Sequence, residues 1–399
     1  MAEPPREEPW DLGLEDEEFW MNPNVARVLE EAARLADRIA GRVAELGRLL
    51  EEDPSVRAEL EGLERGVLGE EQPLPGAAVD STFPIDGGVD LVGGHLVAIV
   101  AGYVSFAGAC VSGEACHDSF AKAWFVSTEE AARQVPLRAK ALEKAVTLRL
   151  LRMLREGGPV RPRVILLDGE VIPYQLLFKS SRAVARSRAL TKLDELTSRV
   201  LREARDLGVT LIGVVKRSYS RLLAARIGRR LPLNDKAVMS MLLRPGEYTV
   251  LGRFRELLPA YAEVLAEEKR LDPRKYRRVV EERLAERSLY GDTVVAFYRP
   301  GRMRRGGYAV RVEVLDYGGV GLERLLSMLN RLTNPATGLP YPVDVVDSYT
   351  ALEARVLELL RRRVVALLAR LVPDRRALVV MAHTNPEKRF IYEPRRGRK

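Results

Sequence analysis

Val28, Ala32, Leu35, Ile39, Val43, Leu46 and Leu50 recur at steps of three and four residues, the spacing that lines one stripe of an α-helix. Asn24 is placed to cap it, and residues 24–70 are expected to form an amphipathic helical region. That stripe could lie on the main domain or pair with a second copy. Pro73, Pro75 and Gly76 then mark a linker. From Ala77 the period changes to that of strands: Ala77 to Phe83, His95 to Phe106 and Ala121 to Val126, the middle one apolar enough to be central in a sheet.

Ser127 and Glu130 are spaced as a capping box opening a helical stretch that Pro136 breaks and restarts. It runs to about Arg155, and Gly157 and Gly158 end it. A short buried strand, Val164 to Leu167, stops at Asp168-Gly169. A helix from about Ser181 to Leu207 leads to the strand Thr210 to Val215, which ends at Lys216. Neighbouring strands followed by helix-linked ones predict an α/β fold, a mixed sheet flanked by helices. Residues 218–290 are expected to be a helical, Arg-rich insertion. Thr293 to Arg299 and Ala309 to Leu315 read as a hairpin, with Val310, Val312 and Val314 facing in and Arg311 and Glu313 facing out. A long helix over about Ser348 to Leu371 and a strand over Ala377 to Ala382 complete the chain.

Composition narrows the class. The chain has 399 residues, 46% hydrophobic and 30% charged, which fits a folded protein with a sizeable core. The net charge of +8 is unevenly spread. Residues 1–20 carry eight acidic side chains and one basic, an acidic leader over 1–23 expected to be disordered, whereas 388–399, within a basic tail over 386–399, carry six basic and one acidic. A basic end suits a polyanion. Six Asn and three Gln are few thermolabile amides, as in a protein that works hot. Cys110 and Cys116 are close enough for a disulfide, but they lack His partners at zinc-finger spacing and are expected to be reduced core thiols in a cytoplasm. The N-terminus has no export-signal pattern. Leu91 to Gly113 carries no formal charge, but its glycines and β-branched residues predict strands and turns rather than a membrane span.

Three acidic residues stand where an ion would be hard to keep. Asp80 follows Ala77-Ala78-Val79, Asp168 follows Ile165-Leu166-Leu167, and Glu143 has the apolar Ala139, Val146 and Leu150 on its helical face. Carboxylates at the ends of adjacent strands converge at one sheet edge, where they repel one another unless a divalent cation neutralises them. Oxygen ligands select Mg²⁺ or Mn²⁺, and the chemistry such ions serve is phosphoryl transfer, two ions clamping the attacking and leaving oxygens. Asp80-Ser81-Thr82 could equally be an Asx turn, Asp168-Gly169 a strand-to-turn dipeptide, and Lys140 could pair with Glu143.

Asp80-Ser81, the helical Glu143, Leu167-Asp168-Gly169, Lys216-Arg217-Ser218 and Pro340-Tyr341-Pro342 before a helix together resemble the NurA nucleases over roughly residues 77–385. The resemblance implies an RNase H-like core and a Mn²⁺- or Mg²⁺-dependent DNA nuclease: a 5′-to-3′ exonuclease with single-strand endonuclease activity. It implies a cytoplasmic homodimer acting in DNA end resection and double-strand break repair beside a HerA-type hexameric ATPase. Carried over, the resemblance implies that Asp80, Glu143 and Asp168 hold the metal, as two ions, with Lys216 and Tyr341 at the scissile phosphate. The family usually has Asp-Gly-Ser where this chain has Asp80-Ser81-Thr82, and often Ala-His where it has Val346-Asp347. Asp347 could replace the His as a ligand or cap a helix at Ser348, and Glu129 or Glu130 could take the place of Glu143. These departures leave open a catalytically silent relative that binds DNA or docks on the translocase.

Basic residues cluster at Lys216, Arg217, Arg221, Arg226, Arg229 and Arg230 and at the hairpin tip, Arg302, Arg304 and Arg305. Such clusters bind phosphates, and Tyr219 and Tyr308 beside them could stack on unpaired bases. No Gly-Lys-Ser or Gly-Lys-Thr occurs, so ATP hydrolysis falls to a partner. His95, His117 and His383 leave little room for a zinc centre, and His383 is read as a core or rim residue.

Overall fold

The computed structural model describes residues 23–83, 89–91, 93–111, 116–127, 133–216, 220–228, 231–303, 307–371 and 376. The acidic leader, Glu129, Glu130, His383, the strand expected over 377–382 and the basic tail lie outside them. The chain divides into two units, Met1–Glu61 with Leu231–Leu233, and Gly62–Arg230 with Asn234–Lys399. In the first, helix α1 spans Pro23–Glu52 and α2 Pro54–Glu61. Asp53 separates them by accepting the Ser55 and Val56 amides on its carboxylate. The helix is already formed at Pro23, one residue before the expected cap. Val28, Leu35, Ile39 and Val43 of its stripe stay exposed.

The second unit is built on a sheet. Its elements are β1 (Glu64–Val67), β2 (Gly76–Thr82), β3 (Val89–Leu91), β4 (Gly94–Phe106), β5 (His117–Val126), α3 (Val135–Arg155), β6 (Val164–Asp168), α4 (Tyr174–Leu177), α5 (Ser181–Ala185), α6 (Arg188–Asp206) and β7 (Thr210–Val215). There follow α7 (Leu222–Ile227), α8 (Asp235–Leu242), β8 (Glu247–Arg253), α9 (Phe254–Glu268), α10 (Pro273–Glu286), α11 (Ser288–Gly291), β9 (Val294–Tyr298), β10 (Val310–Leu315), α12 (Leu322–Arg331), α13 (Tyr341–Thr350) and α14 (Ala354–Leu371). Ten strands form one mixed sheet in the order β1-β8-β9-β10-β7-β6-β2-β4-β3, with β5 also paired to β4. β2, β6 and β7 run parallel, and the other pairings are antiparallel.

Helices cover both faces of the sheet. Ala78, Leu166, Val214 and Val312 pack with Val343 and Val346 of α13 and with Leu325 and Leu329 of α12. On the other face Val97 and Ile99 of β4 meet Val135 and Ala139 of α3. Burial at roughly 25 cal/mol per Å² makes these two layers the main stabilising term.

The sequence pattern and the structure part at several places. Residues 64–67 form an edge strand rather than helix, and the segment 218–290 contributes β8, which joins β1 to β9. At Pro136 the two agree: Arg133 is helical, Gln134 is a turn, and α3 restarts at Val135 with the proline in its first turn, where it costs no hydrogen bond. The helix expected from Ser348 begins at Tyr341, stops at Thr350 and resumes at Ala354. Arg311 and Glu313 do not face solvent: β10 lies between β9 and β7 with both faces covered, and the two side chains are 1% and 0% exposed. Cys110 and Cys116 form a disulfide between half-buried positions, not a pair of core thiols. Among the described residues no helix is long and apolar enough to cross a membrane, and the uncharged stretch after Leu91 is largely strand β4.

Candidate metal centre

Register creates the site. β2 and β6 are parallel neighbours with Val79 opposite Leu167, so the next residues on each strand, Asp80 and Asp168, stand side by side. Adjacent strands lie about 4.8 Å apart, and residues in register share a face. That face is the one covered by α13, which adds Asp347. One carboxylate oxygen from each of Asp80, Asp168 and Asp347 lies within 4.8 Å of the others. Asp347 sits inside α13, six residues after its first position, so it does not cap a helix at Ser348.

Two cations and a hydroxyl organise the cluster. Lys216, one residue past the end of β7, places its Nζ 2.7 Å from Asp168 Oδ2 and 2.7 Å from Asp347 Oδ2. The buried Thr350, one turn beyond Asp347 on α13, donates to Asp80 Oδ2 at 2.9 Å. Thr82 Oγ1 lies 3.2 Å from that same hydroxyl. Lys236 on α8 donates to the Lys216 carbonyl at 2.8 Å and rests 3.8 Å from the centroid of the Tyr308 ring. Thr350 and Lys236 escaped the sequence reading. The (i, i+3) spacing of Asp347 and Thr350 was a signal for the first, whereas nothing local pointed to the second.

The electrostatics are those of an under-neutralised anionic site. Burial, and then the charge of Glu143, push the Asp80 carboxyl up to about 6, against the opposing hydrogen bond from Thr350. Burial and the Asp80 charge push Asp168 up to about 7, with Lys216 pulling the other way. Burial alone would lower the Lys216 pKa, but Asp168 and Asp347 outweigh it and hold the ammonium above its ordinary value.

The remaining expected residues are placed as follows. Glu143 is buried on α3, over the face opposite α13, and its charge reaches Asp80. Its Oε1 is held 2.9 Å from Lys144 Nζ, and it is not one of the three clustered carboxylates. Lys140, the partner expected for it, pairs instead with Glu170. Tyr341 opens α13 and is 60% exposed. Arg221 is paired with Glu268, and Arg302 with Glu70 at 2.7 Å. Arg302 of the hairpin tip thus already faces a carboxylate of the chain itself. Arg217, Tyr219, Arg304 and Arg305 lie outside the described residues.

The donor set suits a hard divalent cation. Three carboxylate oxygens converge without sulfur or imidazole, and an ammonium group already bridges two of them.

Known proteins resemble this chain in sequence pattern and fold. The family model described as the NurA domain matches residues 85–352. The crystal structure of the NurA nuclease from Sulfolobus solfataricus superposes with a TM-score of 0.56 at 13% identity, covering 87% of this chain and 98% of that one. A crystal structure of NurA with manganese gives 0.49 at 15% identity, covering 85% and 98%. A search of the curated proteins finds no match.

Proposed function

This chain belongs to the NurA domain family, and from that premise we propose that it is a divalent-metal-dependent DNA nuclease hydrolysing phosphodiester bonds at the Asp80, Asp168 and Asp347 cluster. The observation that carries the reading is the convergence of these three carboxylates, two of them buried enough that their protons are held to about pH 6 and 7. Lys216 reaches two of the three carboxylates, and the repulsion left among them is what a divalent cation would relieve. The order β5-β4-β2-β6-β7, antiparallel and then parallel, supports reading the core as RNase H-like.

In this reading Asp80 and Asp168 hold the ion from the strand ends and Asp347 holds it from the helix. A bound Mn²⁺ or Mg²⁺ supplies a nucleophilic water near neutral pH and offsets charge on the phosphate. Thr350 fixes the Asp80 carboxylate, leaving one oxygen free to ligate. Lys216 balances Asp168 and Asp347 and is placed to turn towards the transferring phosphate. Three carboxylates and one ammonium leave a charge of about −2, which one divalent ion cancels. We assign a second ion, with Glu143 as its ligand, to the state in which the phosphodiester adds its own charge. Tyr341, exposed at the open end of α13, is assigned to the substrate side.

The homodimer, the HerA-type hexameric ATPase partner, the 5′-to-3′ polarity, the role in double-strand break repair and a cytoplasmic setting are the family's attributes and are proposed for this chain on that ground. The exposed Val28, Leu35 and Ile39 support a pairing surface on α1. The catalytically silent reading rested on the departures at the Gly and at the His; in the nuclease reading Asp347 would take the place of the His as a ligand. Purified protein incubated with end-labelled linear DNA is expected to cleave with Mn²⁺ and not with EDTA, and Asp168→Asn to lower the rate at least about 100-fold, the loss of roughly 3 kcal/mol of charge stabilisation. Equal cleavage by the variant would refute the site.

A further inference from the structure

The helix that carries Glu143 has a second functional face. Arg138, Ala141, Ala145, Leu148 and Arg152 lie between roughly 140° and 180° around α3 from Glu143, at 100° per residue. They form the floor of an open groove of about 1300 Å³, walled by β5 on one side and by the segment from Ala185 to Arg199 on the other. The groove therefore looks away from the carboxylate cluster. Seven basic side chains line it against one carboxylate, Glu195. Glu195 is 3.7 Å from Lys192, and among the described residues this is the groove's ion pair.

We propose that this groove is a binding site for the phosphate backbone of a nucleic acid, separate from the carboxylate centre. Its charge favours a polyanion over a second copy of the chain, since two such surfaces would repel each other. Its length fits an extended polymer rather than a small anion. Arg138 to Arg152 spans fourteen residues of helix, about 21 Å, or roughly six phosphates of a strand at ~3.4 Å each. Ala141, Ala145 and Ala189 keep the floor low, so a backbone can approach the guanidinium groups on the rim. Arg is the better residue for this work, because its planar fork meets two phosphate oxygens at once. Trp124 lines the same groove beneath Arg138, whose guanidinium stands 5.4 Å from the ring centroid, and offers a stacking surface if the strand is single.

The inference adds to the nuclease reading and does not depend on it. The test uses the full chain in EDTA, with fluorescently labelled single-stranded and duplex oligonucleotides, titrated between about 50 and 200 mM salt. The Arg138→Ala/Lys192→Ala/Arg199→Ala triple variant is expected to bind at least about tenfold more weakly and to lose roughly 2 from the slope of log K against log salt, at about 0.7 to 0.9 per cation. The Arg138→Lys/Arg199→Lys variant is expected to keep the slope. A larger loss for single strands identifies that form as the ligand, and a larger loss for duplex identifies the other. An unchanged affinity and slope in a triple variant that melts like the parent would overturn the proposal. Hydrolysis of bis(p-nitrophenyl) phosphate with Mn²⁺ is read in parallel. It is expected to be equal in the parent and the triple variant, and its absence in the parent would sink the nuclease reading while leaving the groove standing.

Discussion

Asp80→Asn is expected to make the metal-free protein more stable while destroying its metal response. Burial raises the Asp80 carboxyl from 3.8 to about 6. In the unfolded chain the proton leaves near pH 4, whereas in the fold it is kept until about pH 6. Between these values the unfolded state binds fewer protons, so stability falls as pH rises and the full penalty is present above about pH 7. A difference of about two pH units is worth ~3 kcal/mol. Asn cannot ionise and keeps a carbonyl oxygen to accept from Thr350, so it escapes that penalty at similar volume. Urea unfolding in EDTA at about pH 8 is expected to find the variant more stable by ~1–3 kcal/mol, and at about pH 4 equal to the parent within ~0.5 kcal/mol. With Mn²⁺ at 1,000 times its Kd the parent gains ~4.1 kcal/mol and the variant little, so the order reverses. A variant less stable than the parent at both pH values without metal would refute the electrostatic account of the site.

Two further outcomes follow from contacts around the sheet. Thr350→Val removes the donor to Asp80 at nearly constant shape, and is expected to weaken Mn²⁺ binding ~10–100-fold and to move the rise of cleavage to higher pH, as checked by calorimetry and a pH–rate profile. Arg311→Met leaves Glu313 and Asp235 buried without their cation, with burial already holding them up to about 7 and about 6. It is expected to cost ~3–5 kcal/mol near pH 8 and distinctly less near pH 5, where both carboxyls are protonated; an equal cost at the two pH values in urea titrations would contradict it.

Asp80 and Asp168 were legible in the sequence because each ends a run of apolar residues, and parallel strands of equal register bring such ends together. Asp347 was half legible. Reading it as a cap started its helix at Ser348, although Pro340 and Pro342 already fit an earlier start, since proline is at home in a first turn. Glu143 was picked out as a lone acid on an apolar helical face. Its pairing with Lys144 was not legible, because successive residues of a helix point about 100° apart and are not read as neighbours on one face. β8 was hidden because Tyr248, Val250 and Leu251 sit among Arg-rich helices, and what makes them a strand is pairing with the distant β9 and β1. The alternation in β10 was read as one wet face and one dry. That inference holds at a sheet edge and fails in the middle of ten strands.

Gly102 on β4, directly opposite Asp80 on β2, ties the geometry of the carboxylate cluster to the absence of a side chain. A Cβ there would stand 2.8 Å from the Asp118 carbonyl oxygen and 3.2 Å from the Thr350 methyl. The end of α13 thus rests on bare backbone, which works as a seat whose height is set to a few tenths of an ångström. Even alanine would act as a shim under that helix, tilting Thr350 off Asp80 and carrying Asp347 with it. A position on the neighbouring strand, with no charge of its own, thereby governs how closely the three carboxylates can be drawn together.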